Sequence, residues 1–340
     1  MIAFLTGRRR FVFFRGMKHF DIASLPALSD SMRRGFHANY LAMYSSIYGG
    51  IVTDPVLMML PIDDHMVHRG DGVFEVFKCV NGGIYNLKAH LERLEHSVSV
   101  LDYRLPCPMS EIRSIVLETT RAGKVNDASI HLYVSRGPGS LGVNPYDCPR
   151  SELYVVVTRL KNPFMDDHPD GAKVISSSVP PKQPYFASIK SCNYLSNVLM
   201  KKEAEEKGAD FAVGFDEKGL MTEGATENMG IVTPNARLLF PKLEGVLCGT
   251  TMMRVFELAK QLVAGGQIAE VAFADVPKRM VLEAIEMLVV GTTPNVAMVR
   301  EFDGRAVGYG RPGPVYRSLS KLLVDDIAAN KALRTPVFGE

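Results

Sequence analysis

Three short stretches of the chain gather the side chains best able to do chemistry. The first is HRGDGVFEV at residues 68–76, followed by HLERL at 90–94, which carries Arg93. The second is SIKSCNYLSN at 188–197, which holds Lys190 and Tyr194. The third is GLMTEGATEN at 219–228, with Glu223 and Thr226, followed by LCGTT at 247–251 with Thr250 and Thr251. A lysine that has lost its proton is a nucleophile and a base. An arginine fork grips phosphate or carboxylate oxygens, and a buried carboxylate favours a nearby positive charge. Taken singly, each residue has an ordinary reading, since most charged side chains are solvated. Arg93 has Glu92 and Glu95 beside it, and Glu223 could cap or pair with many groups. It is the grouping that asks for an explanation.

Two other chemistries fail on their context. GPGSLG at 137–142 matches a dinucleotide-binding GxGxxG and follows an expected strand. That motif needs a helix to start at its glycines, so that free amides meet the pyrophosphate. Here VNPYDCP follows, so the segment reads as a glycine-rich loop at an active-site rim. For metals, the eight histidines show no HxxxH or HExxH spacing. The five cysteines, Cys79, Cys107, Cys148, Cys192 and Cys248, form no CxxC pair, and no metal site is expected. Their odd number and scatter point to reduced thiols in an intracellular protein, and a cytoplasmic location is expected.

The bulk numbers agree. With 46% hydrophobic and 22% charged residues in 340, the chain is an ordinary globular protein. A net charge of +2 is too small to make nucleic acid or an anionic membrane the main partner. No apolar run approaches the roughly 20 residues that span a bilayer. Residues 1–20 are basic and contain no acidic residue, which leaves organelle targeting open beside a true start at Met17.

Several elements must position these residues. Strands are expected at Ile51–Thr53, Val56–Leu60, Val73–Val80 and Gly83–Tyr85, the last two joined by an Asn81-Gly82 hairpin turn. Helices follow at His90–Tyr103 and Ile112–Ala122, then strands at Ile130–Ser135, Leu153–Leu160 and Lys173–Val179. Helix Tyr194–Lys207 ends at Gly208. Strands are expected at Phe211–Phe215, Asn228–Thr233, Arg237–Phe240, Ile268–Phe273 and Met287–Val290, and helices at Thr250–Val263 and 277–286. Hairpins mixed with helices make the fold class α+β. The proposed division is an N-terminal extension at 1–44, a small α+β domain at 45–165, a linker at 166–186 and a larger domain at 187–340.

Taken together, the blocks resemble the class IV (fold type IV) pyridoxal-phosphate enzymes over about residues 50 to 310. That family includes branched-chain and D-amino acid aminotransferases and aminodeoxychorismate lyases. The resemblance implies a two-domain fold, with a smaller N-terminal α/β domain, a larger C-terminal domain and pyridoxal 5'-phosphate between them. It implies that Lys190 carries the cofactor as a Schiff base and then shuttles the substrate α-proton. Glu223 matches the carboxylate facing the pyridine nitrogen, and Tyr194 a phenol near O3′. Arg93 matches the phosphate arginine. Thr250 and Thr251 match a helix-start phosphate cradle, and Thr292 in VVGTTPN a second phosphate contact. Thr226, within TEGATEN, completes the cofactor set. A homodimer, with a partner loop closing the site, is implied as well.

The substrate residues depart from each subgroup. His131 stands where branched-chain enzymes usually have an arginine. Leu141 and Val143 stand where D-specific enzymes have an Arg-x-His pair, and Phe74 replaces their tyrosine. Losing the charged trap favours a small or apolar side chain, because an unpaired buried carboxylate is costly. Arg136 or Arg69 could still meet a carboxylate. The expected activity is transamination between an amino acid, branched-chain-like or D-amino-acid-like, and a 2-oxo acid. The alternative is a 4-amino-4-deoxychorismate lyase, which uses the same lysine and glutamate.

Overall fold

The structure is a computed structural model that describes residues 17–338. Most of the basic stretch at 1–20 lies outside the described residues. The first half contains α1 (Leu25–Met32), β1 (Tyr40–Ser45), β2 (Gly50–Val52), α2 (His65–Arg69), β3 (Gly72–Val80), β4 (Gly83–Tyr85), α3 (Leu87–Val100), α4 (Met109–Ala122), β5 (Ala128–Ser135) and β6 (Glu152–Arg159). Next come α5 (Phe164–Asp167), β7 (Ala172–Ser176), α6 (Pro184–Ala187), α7 (Leu195–Glu206), β8 (Phe211–Phe215), β9 (Met221–Gly224), β10 (Asn228–Val232) and β11 (Arg237–Pro241). The chain ends with α8 (Thr250–Ala264), β12 (Glu270–Ala274), α9 (Lys278–Leu282), β13 (Glu286–Gly291), β14 (Asn295–Phe302), β15 (Arg305–Ala306), α10 (Pro314–Ala329) and β16 (Arg334–Pro336).

The strands form two sheets. One has seven strands in the order β16-β4-β3-β5-β6-β1-β2, and the other has nine, with β12-β11-β10-β13-β14-β7-β8-β9 as its path and β15 beside β14. The first sheet packs one face on α3 and α4, where Leu87, Leu94, Ile112 and Val116 meet Phe77, Ile130, Leu132 and Val155. The second is covered on one face by α8 and α10 and on the other by a cluster that includes Val281 and Phe302. This is the expected α+β character.

Local chemistry explains the elements that place the site. The β3–β4 hairpin turns at Asn81 (φ 50°) and Gly82 (φ 73°), residue types that accept the left-handed region. Helix α3 runs from Leu87 to Val100, earlier than expected at both ends. Asn86 (φ 53°) precedes it and Asp102 (φ 52°) follows, and neither has a helical backbone.

Other expectations need correction. Val56–Leu60 forms no strand: the Asp54 side chain accepts the Val56 amide and Pro55 opens a 3-10 turn. Strand β1 starts inside the supposed extension and pairs with β6 in the first sheet. Strand β7 starts inside the supposed linker yet lies in the second sheet between β14 and β8. Strand β14 is also new, closing a hairpin with β13 in which Gly291 pairs with Asn295. Finally, β16 returns from the far end of the chain to β4.

Candidate active site

Strand β3 holds the lysine in place. It pairs with β5 along its length but with β4 only at Cys79 and Val80, so its first residues have a free edge. That edge takes the segment around Lys190. The Phe74 amide donates to the Lys190 carbonyl at 2.9 Å, and the Cys192 amide donates to the Gly72 carbonyl at 2.7 Å. From α3, the Ser97 hydroxyl accepts the Lys190 amide at 3.2 Å. The lysine therefore rides on the first sheet, while α7, a few residues further on, belongs to the second half. Lys190 Nζ lies 4.5 Å from the centre of the Phe74 ring. Burial, aided by the Arg93 charge, depresses its amine to about 8.

Lys190 lines a cleft of about 250 Å³ with Phe74, Arg93, His131, Tyr194, Thr226, Thr250, Thr251 and Thr292. These residues lie far apart in sequence and the fold brings them together. At one end sits a network that the sequence reading missed. Glu75 is fully buried. Arg93 grips it with Nε and Nη2, both at 2.7 Å, and donates Nη1 to the Cys248 carbonyl at 3.1 Å. His90 Nδ1 lies 2.7 Å from Glu75, and its Nε2 lies 3.1 Å from the Thr250 hydroxyl at the start of α8. With Nδ1–H donating to the carboxylate, Nε2 of the neutral ring accepts from Thr250. Burial lowers the His90 pKa, which keeps that ring neutral. Burial would raise Glu75, but Arg93 and His90 outweigh it and hold the carboxyl at about 2. The arginine fork is thus turned onto a carboxylate of the protein itself, and its edge faces the cleft.

The loop before α8 is pinned three times. Leu247 donates its amide to Glu223 at 2.8 Å, the Asn228 side-chain amide donates to the Leu247 carbonyl at 3.0 Å, and Arg93 takes the Cys248 carbonyl. Gly249 follows with no room for a side chain, since a Cβ there would lie 1.9 Å from Asn228 Oδ1. The first amides of α8 therefore open onto the cleft beside Arg93, and with the helix dipole they favour an anion. Thr251 Oγ1 lies 3.5 Å from Thr292 Oγ1, which joins the β13–β14 turn to the same end.

Glu223, on β9, lies just behind the cleft rather than among its lining residues. Burial raises its pKa, and its second oxygen has no hydrogen-bond partner among the described residues. Tyr194 meets the Phe74 ring edge-on at 5.1 Å and carries Lys182 Nζ at 4.6 Å over its own ring. Burial pushes the Tyr194 phenol above its ordinary range. The Thr226 amide donates to Glu227 at 3.0 Å, and its hydroxyl bonds the same carboxylate.

Arg136 does not join this group. Its guanidinium donates to Asp71 at 3.1 Å and stacks on Tyr103 at 4.1 Å, away from the Lys190 cleft. Arg69 is also engaged, donating to the carbonyls of Gly142 and Leu141. The GPGSLG glycines serve loop packing. A Cβ on Gly137 (φ +103°) would lie 1.9 Å from the Arg150 carbonyl, and one on Gly139 would lie 2.5 Å from that of Asp147.

A depressed lysine, a buried arginine and a helix start in one cleft suggest a phosphorylated carbonyl cofactor. Comparison with known proteins decides the family: residues 72–302 match the model for amino-transferase class IV. The chain belongs to the class IV aminotransferase family. It is 39% identical over 289 residues to the D-amino-acid transaminase, chloroplastic, of Arabidopsis thaliana, covering 85% of this chain and 77% of that one. It is 32% identical over 264 residues to a putative branched-chain-amino-acid aminotransferase of Methanocaldococcus jannaschii, covering 77% and 89%. The T.th. branched-chain amino acid aminotransferase, solved with pyridoxamine 5'-phosphate, superposes with a TM-score of 0.81 at 25% identity, covering 88% of this chain and 99% of that one. Class IV aminotransferases use pyridoxal 5'-phosphate, and this one is an aminotransferase with the fold type IV architecture. Nothing in these comparisons favours the lyase alternative.

The cleft of this aminotransferase suits that cofactor. It offers an amine of depressed pKa, a helix start beside a guanidinium for the phosphate, and a buried carboxylate with a free oxygen. Glu75 and His90 had a sequence signal. Glu75 is the one acid on the core-facing side of β3, where Val73, Phe77 and Cys79 are apolar, and His90 and Arg93 follow at helical spacing.

Two outcomes test this geometry. Glu75→Gln leaves Arg93 buried without its anion. Urea unfolding should then show a loss of about 3–5 kcal/mol, together with weaker retention of pyridoxal phosphate; wild-type values for both would remove Glu75 from its central place. Separately, only the neutral amine adds to a carbonyl, so borohydride trapping of a small aldehyde at Lys190, read by peptide mapping, should rise with pH. Its midpoint should fall near 8. A midpoint near the ordinary value of about 10.4 for an exposed lysine would show a solvated amine.

Proposed function

We propose that this protein is a pyridoxal-phosphate transaminase for amino acids with apolar side chains, in which Lys190 is the catalytic residue. One observation carries the reading: the Lys190 amine shares one cleft with Arg93 and the start of α8, and Glu223 is tied to the lining of that cleft through the Leu247 amide. When bound, pyridoxal phosphate supplies the carbon that receives the amino group and an electron sink for the charge left on the substrate. The chain's own residues do the rest. Arg93, Thr250, Thr251 and Thr292 would hold the phosphate, and Glu223 would favour a proton on the ring nitrogen. Tyr194 and Thr226, which line the same cleft, would complete the cofactor's surroundings. Lys190 Nζ, whose pKa burial lowers to about 8, takes the proton from substrate Cα in its neutral form.

The substrate reading rests on what surrounds His131. Beside the cleft lies an apolar pocket of about 450 Å³, lined by Met58, Leu60, Met66, Tyr133 and Tyr154 and sharing His131 with it. Burial, then the Lys190 charge, lowers the pKa of His131, so it offers no cation to a side-chain carboxylate. Phe74 stacks on Tyr133 at 5.8 Å and extends the apolar wall. Branched-chain amino acids and apolar D-amino acids both suit this wall, and the names of the relatives carry 'branched-chain-amino-acid' and 'D-amino-acid'. The purified protein should be yellow and should transfer the amino group of such donors to 2-oxoglutarate or pyruvate. A panel of L and D donors gives the stereochemistry, and Lys190→Ala should abolish turnover. Colour and turnover that survive Lys190→Ala would sink the assignment.

We further infer a homodimer, on the strength of exposed apolar side chains. Ile62 is 75% exposed, Val143 78% and Tyr146 91%, with Leu57, Met59 and Val67 nearby, more than a lone chain usually leaves in water. Sedimentation should give about twice the 37.5 kDa chain mass at assay concentrations, and a fully active monomer would contradict this. A cytoplasmic location belongs to the same proposal, supported by cysteines that are all free in the structure. Among the described residues no helix is long and apolar enough to cross a membrane. The chloroplast in the Arabidopsis relative's name keeps an organelle as the competing location.

A further inference from the structure

Among the described residues, no carboxylate balances the charge of Lys78. Phe74, Val76 and Lys78 alternate along the cleft face of β3. The first two line the cleft, while Lys78 is buried with 7% of its surface exposed. Its ammonium donates to the Thr292 carbonyl at 3.1 Å and to Asn295 Oδ1, both uncharged. Across the sheet its partner on β5 is Ser129, also uncharged. Burial alone lowers its pKa, with no carboxylate acting on it. Such an ammonium is unfavourable unless some anion comes within reach.

The groups it grips are informative. Gly291 pairs with Asn295 and closes a turn over Thr292, Thr293 and Pro294. Asn295 holds a left-handed backbone (φ 60°), a conformation that asparagine tolerates and most residues resist. Lys78 clasps the back of this turn, and its front, Thr292 to Pro294, borders the cleft beside Thr251 and the start of α8. Arg93, the cation at the same end, is already matched by Glu75. The helix start and Lys78 are left as positive features without an anion.

We propose that Lys78 is a positioning residue for the anion-binding end of the cleft. It clamps the Thr292–Asn295 turn and lends it a positive charge whose counterpart is the ligand's own anion, a phosphate monoester or a carboxylate. This rests on reading the cleft as the cofactor and substrate site. Lys78 makes no covalent bond and moves no proton.

The test compares wild-type holoenzyme with Lys78→Met, which keeps the length and loses the charge, and Lys78→Gln, which keeps a neutral donor. Two quantities are followed from about pH 7 to 9.5, a range that brackets the Lys78 titration: the pyridoxal phosphate Kd, by equilibrium dialysis, and the KM for 2-oxoglutarate. Removing one nearby charge should weaken binding about tenfold or more, with kcat falling less. A change confined to Kd identifies the phosphate as the counterpart, and one confined to KM identifies the carboxylate. The advantage of the wild type over both variants should shrink as pH rises through the Lys78 titration near 8; the Lys190 titration, common to all three proteins, cancels in that comparison. A merely structural lysine would lower the melting temperature and leave the shape of the profile unchanged. Either variant, folded, with wild-type Kd, KM and pH profile overturns the proposal. So does a variant whose weaker binding keeps the wild-type pH profile. If the wild type itself binds neither pyridoxal phosphate nor oxo acid, the reading of the cleft falls instead.

Discussion

A carboxylate sealed from water must be matched by charge and hydrogen bonds, and that requirement at Glu75 organises the site. Arg93 supplies two charge-assisted bonds and His90 a third. Each of these partners then reaches the segment that begins α8: Arg93 at the Cys248 carbonyl and His90 at the Thr250 hydroxyl. A residue on β3 of the first sheet thereby fixes the entrance of a helix that packs on the second. The desolvation cost of a buried pair is large, so its net contribution to stability is modest. Its effect is on geometry, because few arrangements satisfy three polar groups at once.

The same strand serves three purposes by alternation. Its core-facing side carries Val73, Phe77 and Cys79 into the apolar cluster, with Glu75 among them. Its cleft-facing side carries Phe74, Val76 and Lys78. Its free edge takes the backbone of Lys190 to Cys192. A one-residue slip would exchange the two faces, burying Phe74 and Lys78 in the core and turning Glu75 out. The pairing of Gly72 with Ser135 through Cys79 with Ala128 prevents it.

Charge is unevenly distributed along the cleft. Its lining has a guanidinium already matched by Glu75 and a helix start, and outside that lining lie the buried ammonium of Lys78 and the carboxylate of Glu223. Lys190 lines the same cleft, and desolvation lowers its amine to about 8.

By itself, the sequence determined what is local or carried by a contiguous motif. The Asn81-Gly82 turn, helix α8 beginning after Gly249, the α+β class and the blocks around Arg93, Lys190 and Glu223 were all legible there. Backbone preference and side-chain periodicity act within a few residues. The tertiary structure decided what depends on partners distant in the chain. Strand β1 has its pairing partner more than a hundred residues away on β6, and β16 returns to β4 from the far end. Arg136, plausible beside the site in sequence, is drawn off by Asp71 and Tyr103. Glu75, His90 and Lys78 gained their meaning only when desolvation and long-range hydrogen bonds made buried charge a constraint. Lys190 belongs to both parts: its motif singled it out, but its depressed amine and its seat on the edge of β3 follow from burial that no single stretch of sequence encodes.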